Sequence, residues 1–115
     1  MGDFTTNEGR DEEEIPFLDP LALLREAHIP SYAVLGNHEY GGGSATGIQY
    51  TEYIVPDLEK KLQDLGISLL RNSATTLSFR DEYLYIYGID EIWSRQATLQ
   101  NFDNPSQAFS ILLTH

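Results

Sequence analysis

The sequence predicts an α/β layered fold, and three observations lead there. Short apolar runs bounded by proline and glycine alternate with stretches of helical periodicity, giving two β-α-β passages. The 115 residues suffice for one small domain and are too few for two, so residues 1–115 read as a single domain. The densest polar cluster follows an apolar run, and in α/β folds functional groups gather at the carboxyl ends of strands.

Residues 1–14 are polar and acidic; the run Glu-Gly-Arg-Asp-Glu-Glu-Glu at 8–14 carries five carboxylates and one arginine and reads as a solvated loop. It lacks the alternating ligands and glycine turn of a calcium loop. Pro16 suits a first helical turn. Leu18, Leu21, Ala22 and Arg25 share one face, with Leu24 alongside, so the spacing predicts a helix to about His28 that Pro30 stops. Residues 31–35 are a short buried strand between Pro30 and Gly36. Residues 40–49 are glycine-rich and predict a loop, either a plain linker or a substrate gate.

A second helix spans 56–65. Pro56 stands at its start, Leu58, Leu62 and Leu65 recur at helical spacing, and Gly66 is the stop. Residues 67–70 form the next strand. Alternation over 76–80 and 83–89 around Asp81-Glu82 predicts a β-hairpin. Leu84 and Ile86 fall on one face of it, and Tyr83, Tyr85 and Tyr87 on the other. Residues 90–107 are irregular, and residues 109–113 form a last apolar strand that carries Thr114 and His115 at its tip.

The net charge of -11 disfavours a nucleic-acid backbone as partner. A phosphate ester remains compatible if divalent cations invert the local sign of the site. With no cysteine, disulfides and thiolate metal sites are excluded, which leaves the compartment open. No apolar run approaches the roughly 20 residues of a membrane span.

The chemistry concentrates in Gly36-Asn37-His38-Glu39. A glycine turn that presents an amide, an imidazole and a carboxylate at a strand tip makes a poor core, because buried polar groups need partners. It is well suited to a metal ion and a phosphate. Asp3 and His115 are further candidate ligands, and this oxygen and nitrogen donor set suits Mn, Zn, Fe or Ni.

Gly2-Asp3, Gly36-Asn37-His38-Glu39 and a strand-borne His115 together resemble the middle of a calcineurin-like metallophosphoesterase, whose signature runs D-x-H, G-D-x-x-D, G-N-H-D/E, H, G-H-x-H. The stretches at 66–72, 85–90 and 111–115 are similar to bacterial phosphodiesterases of the YkuE type and to UDP-diacylglucosamine pyrophosphatases. The resemblance covers nearly the whole chain. It implies a metallophosphoesterase-type β-sandwich flanked by helices, incomplete at both ends, and two divalent metal ions in the complete domain. Asp3 would bridge the two metals, Asn37 and His115 would ligate the second, and His38 would act as general acid on the leaving group. Glu39 would orient His38.

Tyr40 and Trp93 are candidates to line the substrate cleft; Trp93 reads equally as a structural anchor. A cytoplasmic or membrane-peripheral place in a bacterium is implied by the same resemblance. The chain departs from the signature: no D-x-H precedes Asp3, Thr6 stands where the second acid of G-D-x-x-D belongs, and no G-H-x-H follows His115. The expectation is a metal-dependent phosphoesterase present as an internal piece, with little turnover alone. The alternative is a non-catalytic α/β module carrying a degenerate motif.

Overall fold

A computed structural model describes residues 18–40, 55–103 and 109–115. Over these residues the chain is a small α/β fold of two helices and two sheets. The predicted first helix is shorter than its apolar spacing suggests. Residues 18–21 form a 3-10 turn, and the α-helix α1 spans Ala22–Glu26. Pro20 sits in this first turn, where its missing N–H costs no helical hydrogen bond. The chain leaves α1 through His28 in a left-handed conformation, φ 56°, ahead of Pro30. Pro16 lies outside the described residues.

Strand β1 (Ser31–Ala33) and strand β2 (Ile67–Leu69) pair in parallel, with Ser31 opposite Ile67 and Ala33 opposite Leu69. Leu70 N–H donates to the Ala33 carbonyl at 2.8 Å and carries the pairing one step further. Helix α2 (Val55–Asp64) stands between them in sequence and packs on β2, as a parallel crossover requires. Val55, Leu58, Leu62 and Leu65 bury one stripe of α2 against Ala33, Leu35 and Ile67. Leu21 and Ala22 of the first helical segment pack on the same cluster.

Gly66 ends α2 as its position predicts. Its φ of 77° is left-handed, and its N–H donates to the Gln63 carbonyl at 2.9 Å. Arg25 crosses directly above it. The guanidinium donates to the Asp64 carbonyl at 2.7 Å, and a Cβ on Gly66 would lie 3.0 Å from the Arg25 stem.

Strands β3 (Ser73–Phe79) and β4 (Glu82–Gly88) form the expected hairpin, turned at Arg80 and Asp81, one residue earlier than the sequence suggests. Arg80 adopts φ 56°, so the turn is set by the residue that takes the left-handed conformation. Strand β5 (Phe109–Leu113) adds in parallel to β4, with Gly88 opposite Leu113. One β-α-β unit is therefore present among the described residues, and not the two expected. The second sheet is mixed, in the order β3-β4-β5, and no helix lies between β4 and β5 in the described part of their connection.

That connection covers the tyrosine face of β4. Phe102 meets Tyr85 and Tyr87 edge-on, at centroid distances of 6.0 and 5.3 Å, and the Tyr87 hydroxyl donates to the Thr98 carbonyl at 2.9 Å. Burial, with Tyr85 nearby, pushes the Tyr87 phenol above its ordinary value. Tyr83, nearer the hairpin turn, is exposed. Asn72 organises the start of the connection: its side-chain oxygen accepts from the N–H groups of Asp90 and Thr98, and its amide donates to the Gln96 carbonyl.

The two sheets meet at Gly88. A Cβ placed there would fall 2.3 Å from Leu70 Cβ and 3.0 Å from Val34 Cγ1, so β4 reaches the end of the first sheet only because this residue has no side chain. The contact draws the carboxyl ends of β1, β2 and β4 together, and β5 follows β4 by register.

Candidate functional site

Val34 and Leu35 continue β1 into the core, at 1% and 0% exposure, and anchor the turn that follows. His38–Tyr40 forms a single 3-10 turn. Glu39 closes it from within: its carboxylate, fully buried, accepts the Gly36 N–H at 2.7 Å. Tyr40 N–H donates to the Asn37 carbonyl at 3.2 Å. The tight turn holds Asn37 and His38 half-buried at the strand tip. His38 Nδ1 is withdrawn from solvent. Glu39, expected to orient His38, is seen here bonded to the motif's own backbone at Gly36.

The last strand brings His115 to this tip. Ile89 N–H donates to the Leu113 carbonyl at 3.0 Å, which fixes the end of β5 beside the end of β4. His115 Nε2 then lies 3.2 Å from Asn37 Oδ1, across 78 residues of sequence. Two of the three candidate metal ligands therefore meet. The third, Asp3, lies outside the described residues.

The pair has two chemical uses. A protonated Nε2 donates a hydrogen bond to the amide oxygen. With the proton gone, the lone pairs of Nε2 and Oδ1 are available to one cation. Ligand distances of about 2.1 Å put adjacent donors roughly 3.0 Å apart in octahedral geometry and roughly 3.4 Å apart in tetrahedral geometry. The observed 3.2 Å lies between these values and is equally the length of a hydrogen bond between the two side chains, so the spacing is compatible with either use. Among the described residues no group of three or more His, Cys, Asp or Glu side chains is placed to hold a metal.

Behind the turn lies a polar network that sequence reasoning did not single out. The Tyr40 hydroxyl donates to Asp90 Oδ1 at 2.6 Å and accepts from Arg71 Nη2 at 2.9 Å. Arg71 Nε donates to Asp90 Oδ2 at 3.0 Å, and the guanidinium lies 5.9 Å from the Tyr40 ring centroid. Asp90 also caps the Glu91 N–H at 2.8 Å. Burial, then the neighbouring Asp90 carboxylate, pushes the Tyr40 phenol well above its ordinary value, with Arg71 pulling the other way. Tyr40, at 1% exposure, thus belongs to the interior and presents no surface to a cleft. The signal available in the sequence was a charged pair, Arg71 and Asp90, at the ends of two predicted strands.

Trp93 is 61% exposed. Its backbone is held by Glu91, whose buried carboxylate accepts the N–H groups of Trp93 and Ser94, so the ring projects from a fixed turn. Ile92 and Leu99, also exposed, border an apolar groove with Ile89, Ala97 and Thr98. No helix among the described residues is long and apolar enough to cross a membrane. No family model matches the chain, and no curated protein matches it.

Proposed function

We propose that this chain carries the substrate-facing part of a metal-dependent phosphoesterase centre of the calcineurin-like type, in a metallophosphoesterase-type sandwich. The observation that supports this reading is the 3.2 Å approach of His115 Nε2 to Asn37 Oδ1, two residues that a hydrolase of this kind uses on one metal. In this reading Asn37 and His115, with Asp3 as the resemblance implies, would hold a divalent ion of Mn, Zn, Fe or Ni type, and the complete domain would hold a second. When bound, such an ion would supply Lewis acidity toward a phosphate and lower the pKa of a water.

The protein side of the reaction falls to the turn. Asn37 contributes a neutral oxygen, which leaves more positive charge for the phosphate than a second carboxylate would. His38, its neighbour, donates a proton to the leaving-group oxygen. Glu39 keeps the turn closed through Gly36, so that the two side chains hold a fixed relation.

The reading is tested by hydrolysis of a chromogenic phosphodiester and a phosphomonoester by the full-length protein, with manganese and with chelator. Manganese-dependent turnover that falls about 10²- to 10⁴-fold in His38→Ala, the contribution of a general acid, supports it. Turnover indifferent to chelator, or to both Asn37→Ala and His38→Ala, refutes it and leaves a non-catalytic module.

A further inference from the structure

We infer that Tyr40, Arg71 and Asp90 form a positioning clamp that sets the separation of Asn37 and His115; its value to catalysis rests on the metal-site reading above. Asn37 follows β1 of the first sheet and His115 follows β5 of the second, so neither strand ladder fixes the distance between them. The contacts that do so can be followed around a ring. Asn37 is tied to Tyr40 through the turn hydrogen bond, and the Tyr40 hydroxyl is tied to Asp90. Asp90 follows Ile89, whose N–H holds Leu113, two residues before His115. The His115–Asn37 approach closes the ring. Arg71, at the end of β2, bonds both Tyr40 and Asp90 and locks the link between the sheets.

The chemistry of the clamp suits a fixed spacer. Asp90 is 3% exposed and Tyr40 1%, so the short bond between them is shielded from competing water. Each Asp90 oxygen has a separate partner from another strand end, Tyr40 on Oδ1 and Arg71 Nε on Oδ2, which fixes the carboxylate in rotation as well as in place. A core that needed only to be filled would accept phenylalanine at position 40. The hydroxyl makes the difference between filling the space and measuring it.

Tyr40→Phe keeps the ring and removes only the two hydroxyl contacts, and the first readout needs no metal. The ¹⁵N resonance of His115 Nε2 reports its approach to Asn37 Oδ1. In Tyr40→Phe it is expected to move toward the position it takes in Asn37→Ala, where the partner is gone. Asp90→Asn keeps an acceptor for Tyr40 and removes the charge facing Arg71; it is expected to show a smaller displacement. Arg25→Met, which loses the bond to the Asp64 carbonyl away from the site, is the control for general destabilisation and leaves the resonance in place.

The second readout is manganese titration, in which Tyr40→Phe weakens binding about tenfold, as loss of a supporting contact does. An unmoved His115 resonance in Tyr40→Phe overturns the clamp, whatever the loss of stability. A resonance that moves in Tyr40→Phe, together with a wild-type protein that takes up no manganese, upholds the clamp and removes the metal-site reading.

Discussion

Substituting Gly88 by alanine tests the junction on which the candidate site depends. The added Cβ would lie 2.3 Å from Leu70 Cβ, 3.0 Å from the Leu70 carbonyl oxygen and 3.0 Å from Val34 Cγ1. Carbon atoms pack at about 3.5 Å or more, so the shortest contact is too close by roughly 1.2 Å. Leu70 cannot relieve it by changing rotamer, because the offending atom is attached directly to the backbone. Strand β4 must move away from the first sheet.

Overpacking of this kind costs about 1–3 kcal/mol, and the rigid neighbour puts Gly88→Ala near the upper end, about 3 kcal/mol. The movement also carries Asp90 away from Tyr40, and β5 follows β4, so His115 leaves Asn37. Urea unfolding gives the stability, and the His115 side-chain resonance gives the displacement. A loss below about 0.5 kcal/mol, the size of an ordinary surface substitution, with an unmoved His115 signal, would refute the argument.

Three further outcomes follow from the same structure. Gly66→Ala places a Cβ in a left-handed residue beneath Arg25, and urea unfolding should show a loss of about 1–2 kcal/mol. Leu62→Ala, on the fully buried stripe of α2, should cost about 2–5 kcal/mol in the same assay. Tyr40 holds its proton more tightly when folded, so the stability linked to it is fully present below the unfolded value of about 10 and falls as pH rises above that value toward the folded one. Urea midpoints measured through that alkaline range should fall less steeply in Tyr40→Phe, and phenolate absorbance should show Tyr40 ionising only as the protein unfolds.

Local features were the legible ones. The apolar stripe of α2, Gly66 as its stop, the parallel strand pair around it and the β3–β4 hairpin all follow from periodicity and turn residues near in sequence. The start of α1 is not legible because Pro16 and Pro20 both suit a first turn, and spacing does not choose between them. The mixed second sheet was hidden for a different reason. The parallel addition of β5 depends on an irregular connection held by Asn72, Tyr87 and Phe102, whose partners lie 11 to 29 residues away. Asn37 and His115 were legible as donors, but their meeting depends on the absence of a side chain at Gly88, which no local pattern announces. Tyr40 looked like a cleft residue because it follows the motif. Only the folded chain shows Arg71 and Asp90 converging on its hydroxyl.

Whether Asn37 and His115 act on one divalent ion is decided by manganese titration of wild type, Asn37→Ala, His115→Ala and His38→Ala. Shared ligation requires binding by wild type, a loss of at least about tenfold in each ligand variant, and unchanged affinity in His38→Ala. Equal affinity in all four proteins, or no binding by wild type, would contradict it.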